Sequence, residues 1–163
     1  MSADCIEKNI VLRAPLSRVW KAVADSAEFG KWFGVKFAGP FVAGESLKGA
    51  MAPTLMDPKV AEMQQDFEGM PFEIWVEQVE PEQVFSFRWH PYAIEEGKDF
   101  SQEPTTLVTF HLWEVDGGTS LTITECGFDQ IPVDRRAKAF ASNSEGWAIQ
   151  TTLIEKYLAS HAS

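Results

Sequence analysis

The sequence predicts an α+β fold in which a long C-terminal helix packs along an antiparallel sheet. Three observations predict it. A strand-like pattern at 4–12 is followed by two short helical segments, and two turn signals further along the chain indicate hairpins. Helical periodicity then runs from Pro132 almost to the end. With 163 residues the chain has the length of one ordinary domain, so we expect a single domain over 1–163.

The first third of the chain is expected to hold two short helices and two short strands. Pro15 suits a first helical turn, and Asp25-Ser26 can cap a second helix that Gly34 ends. The strands are placed at 35–37 and 46–51, where turn residues separate two short apolar runs.

The segment 51–71 departs from the strand pattern. Asp57 followed by Pro58 is typical of the start of a helix, and Gly69 of its end. Four of the five methionines lie in this segment: Met51, Met56, Met63 and Met70. Because thioether side chains adapt to irregular apolar surfaces, both a flexible lid and a packed loop fit the pattern.

Two hairpins are expected to place apolar side chains on a common face. Taking Pro81-Glu82 as a two-residue turn pairs Val76 with Phe87 and Gln78 with Phe85. The apolar face then consists of Ile74, Val76, Phe85, Phe87 and Trp89. Arg88 falls on the opposite face among carboxylates, which predicts a surface ion pair.

The second hairpin places one carboxylate on a buried face. Gly117-Gly118 predicts a tight turn that pairs Leu112 with Ile123 and Phe110 with Glu125. Glu125 therefore shares its face with large apolar side chains. A carboxylate in such a place costs several kcal/mol unless it is paired, hydrogen-bonded or hydrated.

The C-terminal helix carries an apolar stripe that two polar residues interrupt. The stripe includes Val133, Phe140, Trp147 and Ile154 at helical spacing. Arg136 and Asn143 fall on the same face, within four residues of Phe140 and Trp147. This placement predicts polar groups opposite Glu125.

Charge and motif content exclude several classes of function. The net charge of −10 argues against nucleic acid and anionic lipid as partners. Residues 57–104 hold 12 acidic and 3 basic side chains, which indicates either a solvated surface or a docking face for a basic partner. No segment approaches the length of a membrane span. The two cysteines form no CxxC motif, and with no signal-peptide pattern they predict a reducing, cytoplasmic compartment.

The sequence contains no motif typical of a metal site, a cofactor site or a catalytic nucleophile. The expected pairing places His111 opposite Val84 and puts His90 far from it along the sheet. Neither a metal-ligand spacing nor a phosphate-binding glycine loop occurs. Cys126 lies on the face opposite Glu125 without a histidine partner. We therefore predict no metal, no cofactor and no catalytic residue.

The order of elements is that of the helix-grip fold, and four blocks of sequence carry a closer resemblance. They are FGKWFGVKFAGPFVAGE at 29–45, FEIWVEQVEPEQVFSFRWHPYA at 72–93, LVTFHLWEVDGGTSLTITECGFDQIP at 107–132 and RRAKAFASNSEGWAIQ at 135–150. Together they resemble the SRPBCC or START-like superfamily, in the branch of the activator of heat-shock protein 90 ATPase. The resemblance implies a curved antiparallel sheet wrapped around the long helix, with a cavity between them that in many relatives holds an apolar molecule.

That resemblance and the apolar faces together predict a binding site for a small, largely apolar ligand such as a lipid, a polyketide or a flavonoid-like molecule. The apolar wall is expected from Trp32, Phe85, Phe87, Trp89, Phe110, Ile123, Phe140 and Trp147, with Phe33 beside Trp32 at the mouth. Glu125, Arg136 and Asn143 would orient the polar end of the ligand. A packed core with an internal salt-bridge cluster fits the same residues.

Two other functions remain open at this point. A chaperone-associated or regulatory stress-response protein would act through the acidic 57–104 surface. A polyketide-cyclase-like or hydratase-like enzyme would use Glu125 as a general acid or base. The oligomeric state is not predicted.

Overall fold

The computed structural model describes residues 5–91 and 102–160. The strands are β1 (Cys5–Leu12), β2 (Val35–Phe37), β3 (Ser46–Met51), β4 (Pro71–Glu80), β5 (Val84–Trp89), β6 (Thr106–Val115) and β7 (Gly118–Cys126). The helices are α1 (Leu16–Ala24), α2 (Ser26–Phe33), α3 (Pro58–Gln64) and α4 (Val133–Ser160), with short 3-10 turns at Gln65–Phe67 and Phe128–Gln130.

The strands form one antiparallel sheet of seven strands in the order β1-β7-β6-β5-β4-β3-β2. The first strand pairs with the last, which brings the N-terminal segment beside the strand that precedes α4. Helices α1, α2 and α4 contact one another, and α4 also contacts β1. The predicted α+β helix-grip architecture is confirmed.

Local signals explain where the helices begin and end. The Asp25 side chain accepts hydrogen bonds from the backbone amides of Ala27 and Glu28, and Asp57 caps α3 in the same way. Gly34 ends α2 in the left-handed region at φ 98°, where glycine carries no steric penalty. The predicted ends of α2, the predicted start of α3 and the strands β2 and β3 are confirmed, whereas α3 ends at Gln64 and a 3-10 turn follows it before Gly69.

The β4–β5 hairpin differs from the prediction near its turn. Val76 pairs with Phe87 as expected, but Gln78 pairs with Ser86 rather than with Phe85. A β-bulge between Val76 and Gln78 adds one residue, and Glu82 takes a positive φ of 63° in the turn. The bulge shifts the apolar alternation of β4 by one position, from Ile74 and Val76 to Val79, and the predicted unbroken hairpin did not allow for that shift.

The charged side chain predicted on the outer face of this hairpin behaves as expected. Arg88 Nε donates to Glu77 Oε1 over 2.8 Å, with both side chains exposed by more than a third. A pair in such a solvated position contributes about 0–1 kcal/mol.

The β6–β7 hairpin is shifted by two residues from the predicted register. Leu112 pairs with Leu121, Phe110 with Ile123, and Val108 with Glu125. The turn consists of Asp116 and Gly117, with Gly117 at φ 85°, so Gly118 already belongs to β7. Because a shift of two residues leaves every side chain on its original face, Glu125 is buried as predicted.

The two cysteines are bonded to each other. Cys5 of β1 lies directly opposite Cys126 of β7, and a disulfide joins them. The interpretation of both as reduced thiols is therefore wrong, and the argument from cysteine usage for a reducing compartment loses its basis. The sequence offered no spacing motif for this pair, since 121 positions separate the two residues.

Aromatic rings fill most of the space between the sheet and the helices. Phe29 of α2 lies at its centre and contacts, among others, the rings of Phe41, Phe85 and Phe110. Tilted and edge-on contacts of this kind are the favoured arrangement of buried rings. Within the residues that the structure describes, no helix is long and apolar enough to cross a membrane.

Candidate functional site

The Glu125 side chain lies at the centre of a hydrogen-bond cluster with no solvent exposure. Its Oε1 accepts from Trp147 Nε1 over 2.8 Å and from Asn143 Nδ2 over 3.0 Å. Its Oε2 accepts from Trp89 Nε1 over 2.8 Å, from Thr106 Oγ1 over 2.5 Å and from Asn143 Nδ2 over 3.1 Å. These donors replace the water that the carboxylate would otherwise bind.

Three strands and one helix bring these groups together. Glu125 points inward from β7, one strand away from Thr106, which itself pairs with Trp89 of β5. Asn143 and Trp147 are four residues apart on α4, so both face the sheet from neighbouring turns of the helix. No cationic side chain bonds Glu125 among residues 5–91 and 102–160.

A cavity of about 340 Å³ opens beside this cluster. It lies between the middle of α4, the segment that follows α3, and the adjoining ends of β3, β4 and β5. Its lining residues are Phe33, Met51, Gln64, Phe67, Met70, Pro71, Phe72, Trp89, His90, Ser142, Asn143, Gly146, Trp147 and Gln150. The volume falls in the range of small-molecule sites, about 300–1,000 Å³.

The cluster and the cavity share three residues. Trp89, Asn143 and Trp147 line the cavity, and each of them donates a hydrogen bond to Glu125. Glu125 itself does not line the cavity and has no exposed surface. The Glu125 carboxylate therefore fixes the orientation of these three lining side chains from the side away from the cavity.

Two glutamine side chains meet at one backbone carbonyl on the cavity wall. Gln64 Nε2 and Gln150 Nε2 both donate to the Phe33 carbonyl oxygen, over 3.2 and 3.0 Å. Gln64 Oε1 accepts from the Thr54 amide over 2.7 Å. Gln150 Oε1, in contrast, is buried and accepts no hydrogen bond from the described residues. An acceptor without a donor among the described residues therefore lies buried within the cavity wall.

The structure brings together only part of the predicted site. Trp89, Asn143 and Trp147 meet at the cavity, and Phe33 also lines it. The other predicted aromatic and aliphatic wall residues lie in the packed core instead, each at most 2% exposed: Trp32, Phe85, Phe87, Phe110 and Ile123. The Trp32 indole donates to the Ala22 carbonyl, which ties it to α1.

Arg136 and Phe140 lie away from the place predicted for them. Arg136 donates to the backbone carbonyls of Ile131 and Asp129 rather than facing Glu125. Phe140 packs against Phe128, below the last turn before α4. Neither residue lines the cavity. The apolar stripe of α4 predicts the position of an inward-facing residue only to within one residue. Contacts with the loop before α4 determine which of two neighbouring residues is buried.

Arg135 is buried on α4, where the apolar stripe predicted that its neighbour Arg136 would face the sheet. Its side chain is 4% exposed, and it donates to Glu103 Oε1 over 2.8 Å and to the Pro91 carbonyl over 3.0 Å. Burial of this guanidinium is tolerated because a carboxylate and a carbonyl oxygen accept hydrogen bonds from it. These contacts connect α4 to Pro91 and to Glu103.

Several cavity residues were not predicted as site residues. They include Met51, Gln64, Phe67, Met70, Phe72 and Gly146. The methionine-rich segment 51–71 was noted as a lid or a packed loop, and that composition was the available signal. The described residues contain no group of three or more metal-ligating side chains.

A family model matches most of the chain. It is described as Activator of Hsp90 ATPase homolog 1-like protein, and it matches residues 13–159. No curated protein matches the sequence.

Solved structures share the fold at low sequence identity. Protein MLL2253 from Mesorhizobium loti has a TM-score of 0.71 at 18% identity, covering 98% of this chain and 99% of that one. The Aha1 dimer from Colwellia psychrerythraea has a TM-score of 0.67 at 16% identity, covering 98% of each chain. DynU16, a protein in the dynemicin biosynthetic locus, has a TM-score of 0.68 at 24% identity, covering 96% of this chain and 48% of that one. At these identities the likeness shows the fold alone.

Proposed function

Because the chain belongs to the family described as Activator of Hsp90 ATPase homolog 1-like protein, we propose that it binds a small, largely apolar molecule in the cavity beside α4. The observation that carries the proposal is the cavity of about 340 Å³, half of whose fourteen lining residues are phenylalanine, tryptophan or methionine. Sites for small molecules combine such an apolar lining with a few fixed polar groups. Here the Glu125 cluster fixes two indoles and one amide of the wall.

Gly146 gives the cavity its depth on the helix side. It lines the cavity, and a Cβ atom built on it would meet no atom within 4 Å outside its own helix backbone. Glycine in the middle of a helix costs about 1 kcal/mol relative to alanine. The glycine at this point of α4 leaves room for a ligand where a side chain would otherwise stand.

The test is a titration with a panel of flavonoids, sterols and fatty acids, followed by tryptophan fluorescence and amide NMR shifts. Trp89 and Trp147 line the cavity, so binding should change their emission. Replacement Gly146→Leu should fill the cavity and abolish the response. It should not lower the free energy of unfolding, because leucine favours the helix and meets empty space.

The matched control is Ala148→Leu, which adds a similar side chain to the exposed face of the same helix. We expect this variant to bind like the wild type. Shifts confined to the outer face of the sheet, around Trp75 and Trp113, would contradict the proposal, as would unchanged binding by Gly146→Leu.

The two other functions considered from the sequence remain predictions. An enzyme that used Glu125 would first have to uncover it, because Trp89, Asn143 and Trp147 separate it from the cavity. A chaperone-associated role would rely on the acidic 57–104 surface, part of which, 92–101, lies outside the described residues. Capture of a basic partner that is lost on charge reversal at Glu62 and Asp66, with Gly146→Leu unaffected, would favour that role.

A further inference from the structure

Among the described residues, the cavity lining offers an anionic ligand no lysine or arginine as a counter-charge. Its lining in the described residues includes no lysine, arginine, aspartate or glutamate, and His90 is its one ionisable side chain. The arginines at the start of α4 are engaged elsewhere, Arg135 with Glu103 and Arg136 with two backbone carbonyls. A ligand carboxylate placed here would lose its hydration without gaining a cation.

The nearest ionisable group behind the wall has the same sign as such a ligand. Glu125 receives hydrogen bonds only from neutral donors, so no cation among the described residues is paired with its carboxylate. Because the surroundings are apolar, repulsion between this charge and an anion would be screened far less than in water.

Two amide side chains of the lining each have an oxygen that accepts no hydrogen bond from the described residues, besides the Ser142 hydroxyl and the His90 imidazole, which can donate or accept. Asn143 Nδ2 is committed to Glu125, which leaves Oδ1 as an acceptor that takes no hydrogen bond from the described residues. Gln150 Nε2 is committed to the Phe33 carbonyl, and its buried Oε1 likewise receives none. In each side-chain amide, the atom that lies next to an acceptor must be the nitrogen, so the other atom is the oxygen.

The two acceptors lie along one line on the helix. Asn143 and Gln150 are seven residues apart on α4, which corresponds to two turns and roughly 10 Å along the axis. Gly146 lies between them and leaves the intervening surface open. An elongated apolar body could rest over Gly146 with a hydrogen-bond donor at either end.

We propose that the cavity selects uncharged apolar molecules carrying hydroxyl donors and rejects the corresponding carboxylates. This inference rests on the proposed function and specifies the class of ligand. The chemistry follows from two amide oxygens of cavity-lining side chains that accept no hydrogen bond from the described residues, from the lack of a lining cation among those residues, and from the Glu125 carboxylate behind the wall.

The experiment compares rigid ligands that differ only in their end groups. The probes are biphenyl with a para hydroxyl on each ring, biphenyl with one, and biphenyl with a para carboxylate on each ring. Calorimetric titration of the full chain at neutral pH should show the diol binding at least about tenfold more tightly than the dicarboxylate, the scale of one hydrogen bond to a buried acceptor. The monohydroxyl probe should fall between them.

Two variants separate the contribution of hydrogen bonds to the amide oxygens from that of the Glu125 charge. Gln150→Leu should weaken the diol several-fold and leave the monohydroxyl probe less affected. Glu125→Gln should narrow the gap between diol and dicarboxylate, because it removes the charge and keeps a carbonyl acceptor. The wild-type comparison needs no variant, so it stands even if Glu125→Gln does not fold.

The outcomes distinguish this inference from the proposed function. Equal or tighter binding of the dicarboxylate at the cavity would overturn the charge selection and leave ligand binding intact. Binding of none of the probes, together with no response to the wider panel, would overturn both. Tighter binding of the diol that Gly146→Leu abolishes supports both.

Discussion

Glu125 occupies a position that its residue type almost never takes, fully buried on an apolar sheet face. The cost of removing a carboxylate from water is met by five contacts from four donor side chains: Trp89, Thr106, Asn143 and Trp147. The arrangement links β5, β6, β7 and α4 at one point. Its consequence is that the cavity wall and the stability of the fold depend on the same residue.

Replacement Glu125→Leu should lower the free energy of unfolding by about 2–4 kcal/mol, because it leaves four buried donors without an acceptor. Glu125→Gln should cost less, since the amide oxygen still receives some of them. Urea unfolding followed by tryptophan fluorescence measures both values. Glu114→Gln, on an exposed position of β6, is the control and should change little. A Glu125→Leu protein as stable as the wild type would show that the cluster is not maintained in solution.

For this residue the sequence identified Glu125 and one of its partners, Asn143, but expected Arg136 where the structure has Trp89, Thr106 and Trp147 as the other donors. Strand alternation has a period of two, so the inward position of Glu125 survived an error in register. Arg136 was misplaced because helical periodicity does not resolve neighbouring positions. The contacts that bury Arg135 instead come from Glu103 and the Pro91 carbonyl, which are distant in the sequence.

Among the elements, α1, α2 and α4 are tied together by one ionic cluster. Arg18 donates to Glu28 Oε1 over 2.7 Å, and the Tyr157 hydroxyl donates to the same oxygen over 2.9 Å. Burial alone would raise the pKa of the Glu28 carboxyl, but the hydrogen bonds from Tyr157 and Arg18 outweigh it and hold that pKa below its ordinary value of 4.5. Burial and the bond to Glu28 raise the pKa of the Tyr157 hydroxyl.

The lowered pKa of Glu28 predicts a loss of stability in acid. A carboxyl whose pKa falls on folding stabilises the protein above its ordinary pKa of 4.5, and this stabilisation is lost as the pH falls through the lowered value. Glu28→Gln should therefore flatten the acid limb of a plot of unfolding free energy against pH. Glu62→Gln, exposed on α3, should leave that limb unchanged. Identical acid limbs for Glu28→Gln and the wild type would contradict the ionised cluster.

Helix α3 is held to α4 by an ion pair between Asp57 and Lys156. The bond to Lys156, together with the backbone amide of Val60, holds the pKa of the Asp57 carboxyl below its usual value. Since Gln64 at the end of α3 lines the cavity, this pair restrains one of its walls. Lys156→Gln should speed hydrogen exchange of the α3 amides, whereas Lys59→Gln, which removes an exposed lysine of α3 itself, should not. Equal exchange in both variants would show that the pair does not restrain the helix.

The elements themselves were predictable where local signals specify them. Asp25, Asp57 and Gly34 mark helix ends through caps and a left-handed residue, and the structure follows them. Hairpin registers were less predictable, because the bulge before Gln78 and the choice of Asp116-Gly117 as the turn depend on pairing along the whole strand.

For the whole molecule, the disulfide between Cys5 and Cys126 closes a loop of 121 positions. A cross-link of that span restricts the unfolded chain and stabilises the native state by about 4–5 kcal/mol in the chain-entropy model. Cys5→Ser with Cys126→Ser should lower the free energy of unfolding by several kcal/mol, and reductant should do the same to the wild type. Thiol titration of the unreduced, denatured wild type should find no free thiol. Two thiols per chain would contradict the bond.

The position of the cavity could not be predicted, although the architecture could. The sheet and the helices follow from periodicity and turn residues, which are local. The cavity depends on where rings such as Phe85 and Phe110 fill the interior and where Gly146 leaves α4 bare. It also depends on the path of the segment after α3, which contributes Phe67 and Met70 to the lining. That path is determined by tertiary packing and not by a local sequence signal.

A ligand in the cavity beside Gly146 should be visible by native mass spectrometry of protein purified without added ligand. The measurement compares the wild type, Gly146→Leu and Ala148→Leu, prepared identically. We expect an additional bound mass on the wild type and on Ala148→Leu, and none on Gly146→Leu. The same bound mass on all three proteins, or none on any of them even after incubation with the ligand panel, would contradict ligand binding in this cavity.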